Sequence, residues 1–227
     1  AGVWARLLIP PFVLFFRMLY PFAWANRPGT GLAAAAGGCV LVRRVALDRS
    51  GGFAAIAGAL IDDCSLAARV KRAGRAGPGR IWIGQADGSA SLRAYRDLGD
   101  IWRMVARSAY AQLHYSPALL GVTLVGLVLV FVVPPMLVAA WPLHTTPPAG
   151  WLGAAAWGAM AGAALPPLRH YRQNAAWSVL LPVAAGLYAA MTVDSARCAM
   201  RGRGGMWKGR AQAAARRDRG GSQPGTR

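Results

Sequence analysis

Between positions 117 and 168 the chain carries no Asp, Glu, Lys or Arg. Within that stretch, residues 118–141 exceed the ~20 apolar residues that a helix needs to cross a bilayer. Pro134 and Pro135 interrupt the run, so a kink with local rescue of the freed backbone groups is expected there. Residues 142–150 read as a turn by composition. A second apolar run, 151–168, is rich in Ala and Gly, which suits close helix contact in lipid. The polar break 169–172 precedes a third run, 175–193. The alternative, buried helices of a soluble protein, would need a larger polar shell than this chain supplies.

The first 26 residues have a different pattern. Positions 7–24 are apolar and aromatic, but Pro10, Pro11, Pro21 and Arg17 interrupt them. A helix lying in the headgroup region is expected, with Arg17 snorkelling and Trp4, Tyr20 and Trp24 at the polar boundary. A hydrophobic hairpin packed on a core is the alternative.

The polar stretch between these segments reads as α/β. Residues 39–42 (CVLV) predict a short buried strand after a Gly-rich turn. Asp62 is expected to cap a helix running to about residue 73, with Leu66 and Val70 inward and Arg69 outward. Residues 74–79 end it. Residues 80–84 and 89–93 predict two further short strands. From 97 to 113, Leu98, Ile101, Trp102, Val105 and Ala109 recur at helical spacing, with Asp100, Arg103 and Arg107 opposite. That amphipathic helix leads into the first long apolar run, which places it at a membrane surface. The regions are therefore 1–26, 27–116, 117–194 (about three apolar segments) and a basic tail, 195–227, disordered from about residue 212.

Composition sharpens this picture. The 227 residues carry a formal charge of +18 yet are 55% apolar, a pairing foreign to disordered basic chains and to most soluble nucleic-acid binders. All eight acids are Asp, and only Lys71 and Lys208 among the 26 bases are Lys. This pattern points to coding bias rather than a choice of Arg for its geometry. Cys39, Cys64 and Cys198 are too few and too scattered for a disulfide framework or a zinc site, and their odd number fits a reducing, cytosol-facing environment. The chain begins Ala-Gly-Val-Trp, and no signal peptide is read there.

No P-loop, dinucleotide-binding fingerprint or GxSxG elbow is present. His114, His144 and His170 lack ligand spacing. Asp62 and Asp63 stand out because acids are so few and because they open a helix, where free N–H groups favour a carboxylate. One cap explains Asp62 and leaves Asp63 free to face a cleft.

Gly37-Gly38 followed by CVLV and Arg43-Arg44, then Gly51-Gly52-Phe53, then Ile61-Asp62-Asp63-Cys64-Ser65-Leu66 and Arg72-Ala73-Gly74 resemble the acceptor half of family 2 glycosyltransferases. LLIPPFVLFFRMLYPFAW, GALIDDCSL, GDIWRMVARSAYAQLHYSP and DSARCAMRGRGGMWKGR are similar to the hopene-associated members found with hopanoid biosynthesis. The resemblance implies a GT-A fold, with residues 27–116 as its acceptor-side half and the remainder a membrane region of transmembrane helices. It implies that Asp63 is the general base, with Asp62 supporting it or capping the helix. Gly37, Gly38, Arg43 and Arg107 fall on the acceptor side, and Trp207, Lys208 and Arg210 beside the interface. Of the family's Gln-x-x-Arg-Trp motif only Arg107 remains.

The same resemblance implies an inverting transfer from a nucleotide-sugar donor to a lipid-like acceptor, with a hopanoid as the candidate that the hopene-associated members suggest. The setting would be a bacterial inner membrane, with the catalytic part facing the cytosol. A divalent metal, Mg or Mn, is expected in a full-length enzyme, held by an Asp-x-Asp motif; the chain has no Asp-x-Asp and no metal ligands are assigned to it. A C-terminal fragment lacking the donor half, inactive alone, is the expectation. A non-enzymatic membrane scaffold or transporter subunit is the alternative, disfavoured as an ion pathway by the lack of charge in the apolar runs. No nucleic-acid partner is expected, because anionic lipid is the nearer partner for bases beside a span. Positive-inside bias would place Arg103, Arg169 and the tail on one side, so one apolar run, with Pro134-Pro135 the candidate, is expected to enter and return.

Overall fold

The computed structural model describes residues 2–74, 80–86, 88, 95–143, 147–204, 206, 207, 210 and 211. The chain divides into two compact units. One comprises residues 1–15 and 93–197, the other 16–92 and 198–227.

Helices build the first unit: α1 (Val3–Leu19, which runs on past residue 15), α5 (Leu98–Ala106), α6 (Ala109–Gln112), α7 (Pro117–Leu127), α8 (Val133–Ala139), α9 (Pro147–His170) and α10 (Leu181–Met200). Leu7 and Leu8 of α1, Ile101 and Val105 of α5, and Ala184, Tyr188 and Met191 of α10 form one buried cluster. Polar side chains at the same contacts fix the register. The Tyr188 hydroxyl donates to the Leu8 carbonyl at 2.8 Å, and the Trp102 indole N–H donates to Asp194 Oδ2 at 2.7 Å. A second cluster joins Phe131, Met160, Ala164, Leu168, Leu181 and Ala185. Phe15 meets Phe131 and Tyr188 edge-on, at centroid distances of 5.5 and 5.2 Å.

The expected rescue at Pro134-Pro135 takes a definite form. Residues Val128–Val132 form a π-helical turn, in which the Val133 N–H donates to the Val128 carbonyl five residues back. Proline removes a donor and crowds the preceding turn; widening that turn lets α7, the π turn and α8 continue as one helical rod. Residues 117–139 and 175–200 are long and apolar enough to cross a membrane. The expected run 151–168 lies inside α9 but is not among them. It does make the close helix contact that its small residues suit. A Cβ at Gly153 would stand 2.8 Å from Leu137 Cβ and 2.9 Å from the Pro134 carbonyl oxygen, so α8 reaches the α9 backbone only because residue 153 lacks a side chain.

The amphipathic stretch 97–113 is two helices rather than one. Asp97 is a true cap, accepting the Asp100 N–H at 2.8 Å. Ser108, with φ −126°, breaks the axis between α5 and α6. His114 and Tyr115 then adopt φ near +55°. Ser116 caps α7 with Pro117 in the first turn, where a missing N–H costs nothing.

The second unit holds α2 (Phe22–Ala25), α3 (Arg44–Arg49), a 3₁₀ turn at Phe53–Ile56 and α4 (Asp62–Ala73). It is not an α/β half-domain, and that expectation is overturned. Among the described residues the strands are the two-residue antiparallel pair β1 (Met206–Trp207) and β2 (Arg210–Ala211). Residues 39–42 form no strand: Cys39 and Val40 are exposed, Leu41 is fully so, and only Val42 packs inward. Residues 80–84, the second expected strand, alternate, with Ile81 and Ile83 inward and Trp82 outward, but pair with no strand among the described residues. Their partner is a side chain and not a strand. Asn26 Nδ2 donates to the Ile83 carbonyl at 3.0 Å, and the Ile83 N–H donates to Asn26 Oδ1 at 2.7 Å. One carboxamide satisfies both backbone groups that a neighbouring strand would otherwise pair. The expected strand 89–93, the turn 75–79 and the tail from 212 lie outside the described residues.

Candidate functional site

α4 runs from Asp62 to Ala73, with Leu66 and Val70 buried and Arg69 exposed, as the periodicity predicts. Asp62 is not its cap. The cap position is Ile61 and no side chain bonds there, so Asp62 and Asp63 are the first two helical residues. Both still sit where the helix dipole favours negative charge.

The two acids are held differently. Asp62 is exposed, and its Oδ1 accepts the Asp63 N–H at 3.0 Å. Asp63 is half-buried and uses both oxygens: Oδ1 accepts the Cys64 N–H at 2.7 Å, and Oδ2 accepts the Gly37 N–H at 2.8 Å. The second bond joins residues 26 apart in sequence. A Cβ on Gly37 would lie 3.0 Å from that Oδ2, so the approach is tight at Gly37. Gly38 has open space around it. These two bonds fix the orientation of the Asp63 carboxylate, and each oxygen carries a second lone pair. Beside it, burial pushes the Cys64 thiol up from its ordinary range, and its Sγ lies 3.6 Å from the Ala35 carbonyl. A buried, protonated thiol is a packing group and not a nucleophile.

The segment that presents Gly37 is pinned by a residue the sequence reading passed over. Lys71 is 6% exposed. Its Nζ donates to the Ala25 carbonyl at 2.7 Å, to Thr30 Oγ1 at 2.9 Å and to the Leu32 carbonyl at 2.6 Å. Three donors meet three oxygens, a tetrahedral fit available to an ammonium and not to a planar guanidinium. The signal was present: a rare Lys on the buried stripe of Ala67, Val70 and Lys71.

Glycine has a clear role at the pair Gly51 and Gly52, where φ is +90° and +65°. Arg43 is exposed and precedes α3 in extended conformation. Arg107 ends α5 in the other unit. Trp207 and Arg210 lie in the β1–β2 pair, and Lys208 falls outside the described residues.

Among the described residues no three His, Cys, Asp or Glu side chains gather as a metal site. The described donor set does not fit a divalent metal, and no step through one is derived for this chain.

Comparison with known proteins adds one finding. A family model described as glycosyl transferase family 21 matches residues 16–204. No curated protein and no solved structure matches. The matched range covers most of the chain and includes Gly37, Asp63 and Lys71: the chain belongs to glycosyl transferase family 21.

Proposed function

We propose that this glycosyltransferase moves a sugar from a nucleotide-sugar donor to the hydroxyl of a lipid-like acceptor in a membrane, with Asp63 as the general base. The observation that carries the reading is the grip on Asp63: two backbone N–H groups, from Gly37 and Cys64, aim its carboxylate. An alcohol is a poor nucleophile at neutral pH, and a carboxylate within hydrogen-bond reach removes its proton as the new bond forms. Asp62, exposed and bonded among the described residues to its neighbour's N–H, is the supporting residue. The helices over 117–139 and 175–200 support a membrane setting, and a lipid-like acceptor is in keeping with that setting. A hopanoid is the first acceptor to try, on the motif resemblance to hopene-associated enzymes. Glycosyl transfer is common to that resemblance and to the family 21 match.

The test supplies radiolabelled nucleotide-sugars to membranes containing the full-length enzyme and follows label into the lipid extract. Label dependent on Asp63 is the expected result. Label found only in water-soluble product would sink the lipid-acceptor reading.

A further inference from the structure

A groove of about 330 Å³ opens between α3 and the C-terminal half of α4. Its walls are mostly apolar, formed by Val45 and Ala46 of α3 and Val70 and Ala73 of α4, while Arg43, Arg44 and Arg49 stand at its rim. The three arginines are not equivalent. Arg44 spends its Nε on both oxygens of Asp48, at 2.9 and 3.0 Å. Arg43 and Arg49 have no carboxylate partner among the described residues. Val45, one helical turn before Arg49, is 62% exposed, so the charged rim continues onto an apolar surface. The last-turn carbonyls of α4 bring some negative charge to this end, countered by Arg72 in the same turn.

We propose that this groove binds the phosphate of an anionic amphiphile, such as an anionic phospholipid. Arg43 and Arg49 take the phosphate oxygens, and Val45, Ala46 and Val70 receive the first apolar atoms behind it. Guanidinium groups match phosphate oxygens in a two-pronged geometry, and apolar walls with a few placed charges are the usual make-up of a small-molecule site. The volume admits a headgroup and a few methylenes, with the chains running out over Val45. The groove is separate from Asp63. Val70 lies seven residues further along α4, about 10 Å at 1.5 Å per residue, so the proposal does not rest on the catalytic reading.

The experiment uses the full chain in dodecyl maltoside and measures binding of dioctanoyl phosphatidate by equilibrium dialysis. Saturable binding near one per chain is expected. It should weaken at least tenfold in the double variant Arg43→Gln/Arg49→Gln, and also in Val45→Asp, which places a carboxylate at the groove through an exposed position. Asp63→Asn should bind like the parent, which separates failure here from failure of the catalytic reading. Unchanged binding in both groove variants, each shown folded by its elution and circular dichroism, would overturn the proposal. So would equal binding of uncharged dioctanoylglycerol. Inorganic phosphate that binds as tightly as the phosphatidate would overturn the amphiphile and leave a free-phosphate site.

Discussion

The backbone N–H of Gly37 donates to Asp63 Oδ2 at 2.8 Å, which ties the turn at residues 37–38 to the first turn of α4. With the Cys64 N–H on the other oxygen, the bond fixes which way the carboxylate faces. Replacing Asp63 with Asn removes the proton acceptor and leaves one of these two N–H groups facing an NH₂. Sugar transfer by the full-length enzyme should fall by ~10²–10⁴-fold, far more than the loss of one hydrogen bond would lower the melting temperature. Asp62→Asn, which can still accept the Asp63 N–H, should stay within a few-fold of the parent. A transfer assay on both variants decides the assignment, and the reverse ranking would move the base to Asp62.

Gly37→Ala should slow transfer more than it destabilises the fold. The new Cβ would sit 3.0 Å from Oδ2, so either the carboxylate or the backbone must give by a few tenths of an ångström. Small misplacements of a reacting group are costly, up to ~10²-fold for 1 Å, so a loss of roughly tenfold is expected. Gly38→Ala, where nothing stands within 4 Å, should be silent. Rates for the two single variants, taken side by side, check this.

Lys71→Met keeps the aliphatic stem and removes three hydrogen bonds. Two carbonyls and a hydroxyl would lose a partner in a buried place, at a cost of about 2–4 kcal/mol. The expected result is a lower unfolding midpoint in denaturant. Lys71→Arg should not rescue it, because a planar fork cannot reach three oxygens placed around a point.

Gly153→Ala should destabilise the α8–α9 contact by about 1–3 kcal/mol, since its Cβ would enter the space of Leu137 and the Pro134 carbonyl. Gly158→Ala and Gly162→Ala, on the same helix with open space around them, should be neutral or slightly stabilising. Thermal unfolding in detergent compares the three.

Asp100 is held below the usual carboxylate range, first by the Arg96 N–H and then by the Arg103 guanidinium. Its folded value lies below its unfolded one, so its contribution to stability is complete above the ordinary range near ~3.9 and is lost as pH falls through the folded value. Asp100→Asn should therefore reduce the acid sensitivity of α5. Amide exchange at Ile101–Arg103, followed from pH 6 to pH 3, should depend less on pH in the variant.

Much of the helical content was legible along the chain because its causes are local. The stripe Leu66, Val70 with Arg69 opposite predicted the faces of α4, and the apolar runs predicted the rods at 117–139 and 175–200, because helical hydrogen bonds close within a few residues. Ser108 was missed as a break, since nothing in the spacing of Ile101, Val105 and Ala109 marks a change of axis. The strands were misjudged for a different reason. Residues 39–42 and 80–84 have strand-like composition, but a strand exists only if distant backbone pairs with it. In the folded chain residues 39–41 face solvent, and Ile83 is paired by the amide of Asn26. By itself the sequence determined that Asp62 and Asp63 open a helix and that Gly37 precedes an apolar run. Only the tertiary structure decided that Gly37 meets Asp63 and that Lys71 fastens the segment just before Gly37, because those bonds close loops of 26 to 46 residues that no local periodicity encodes.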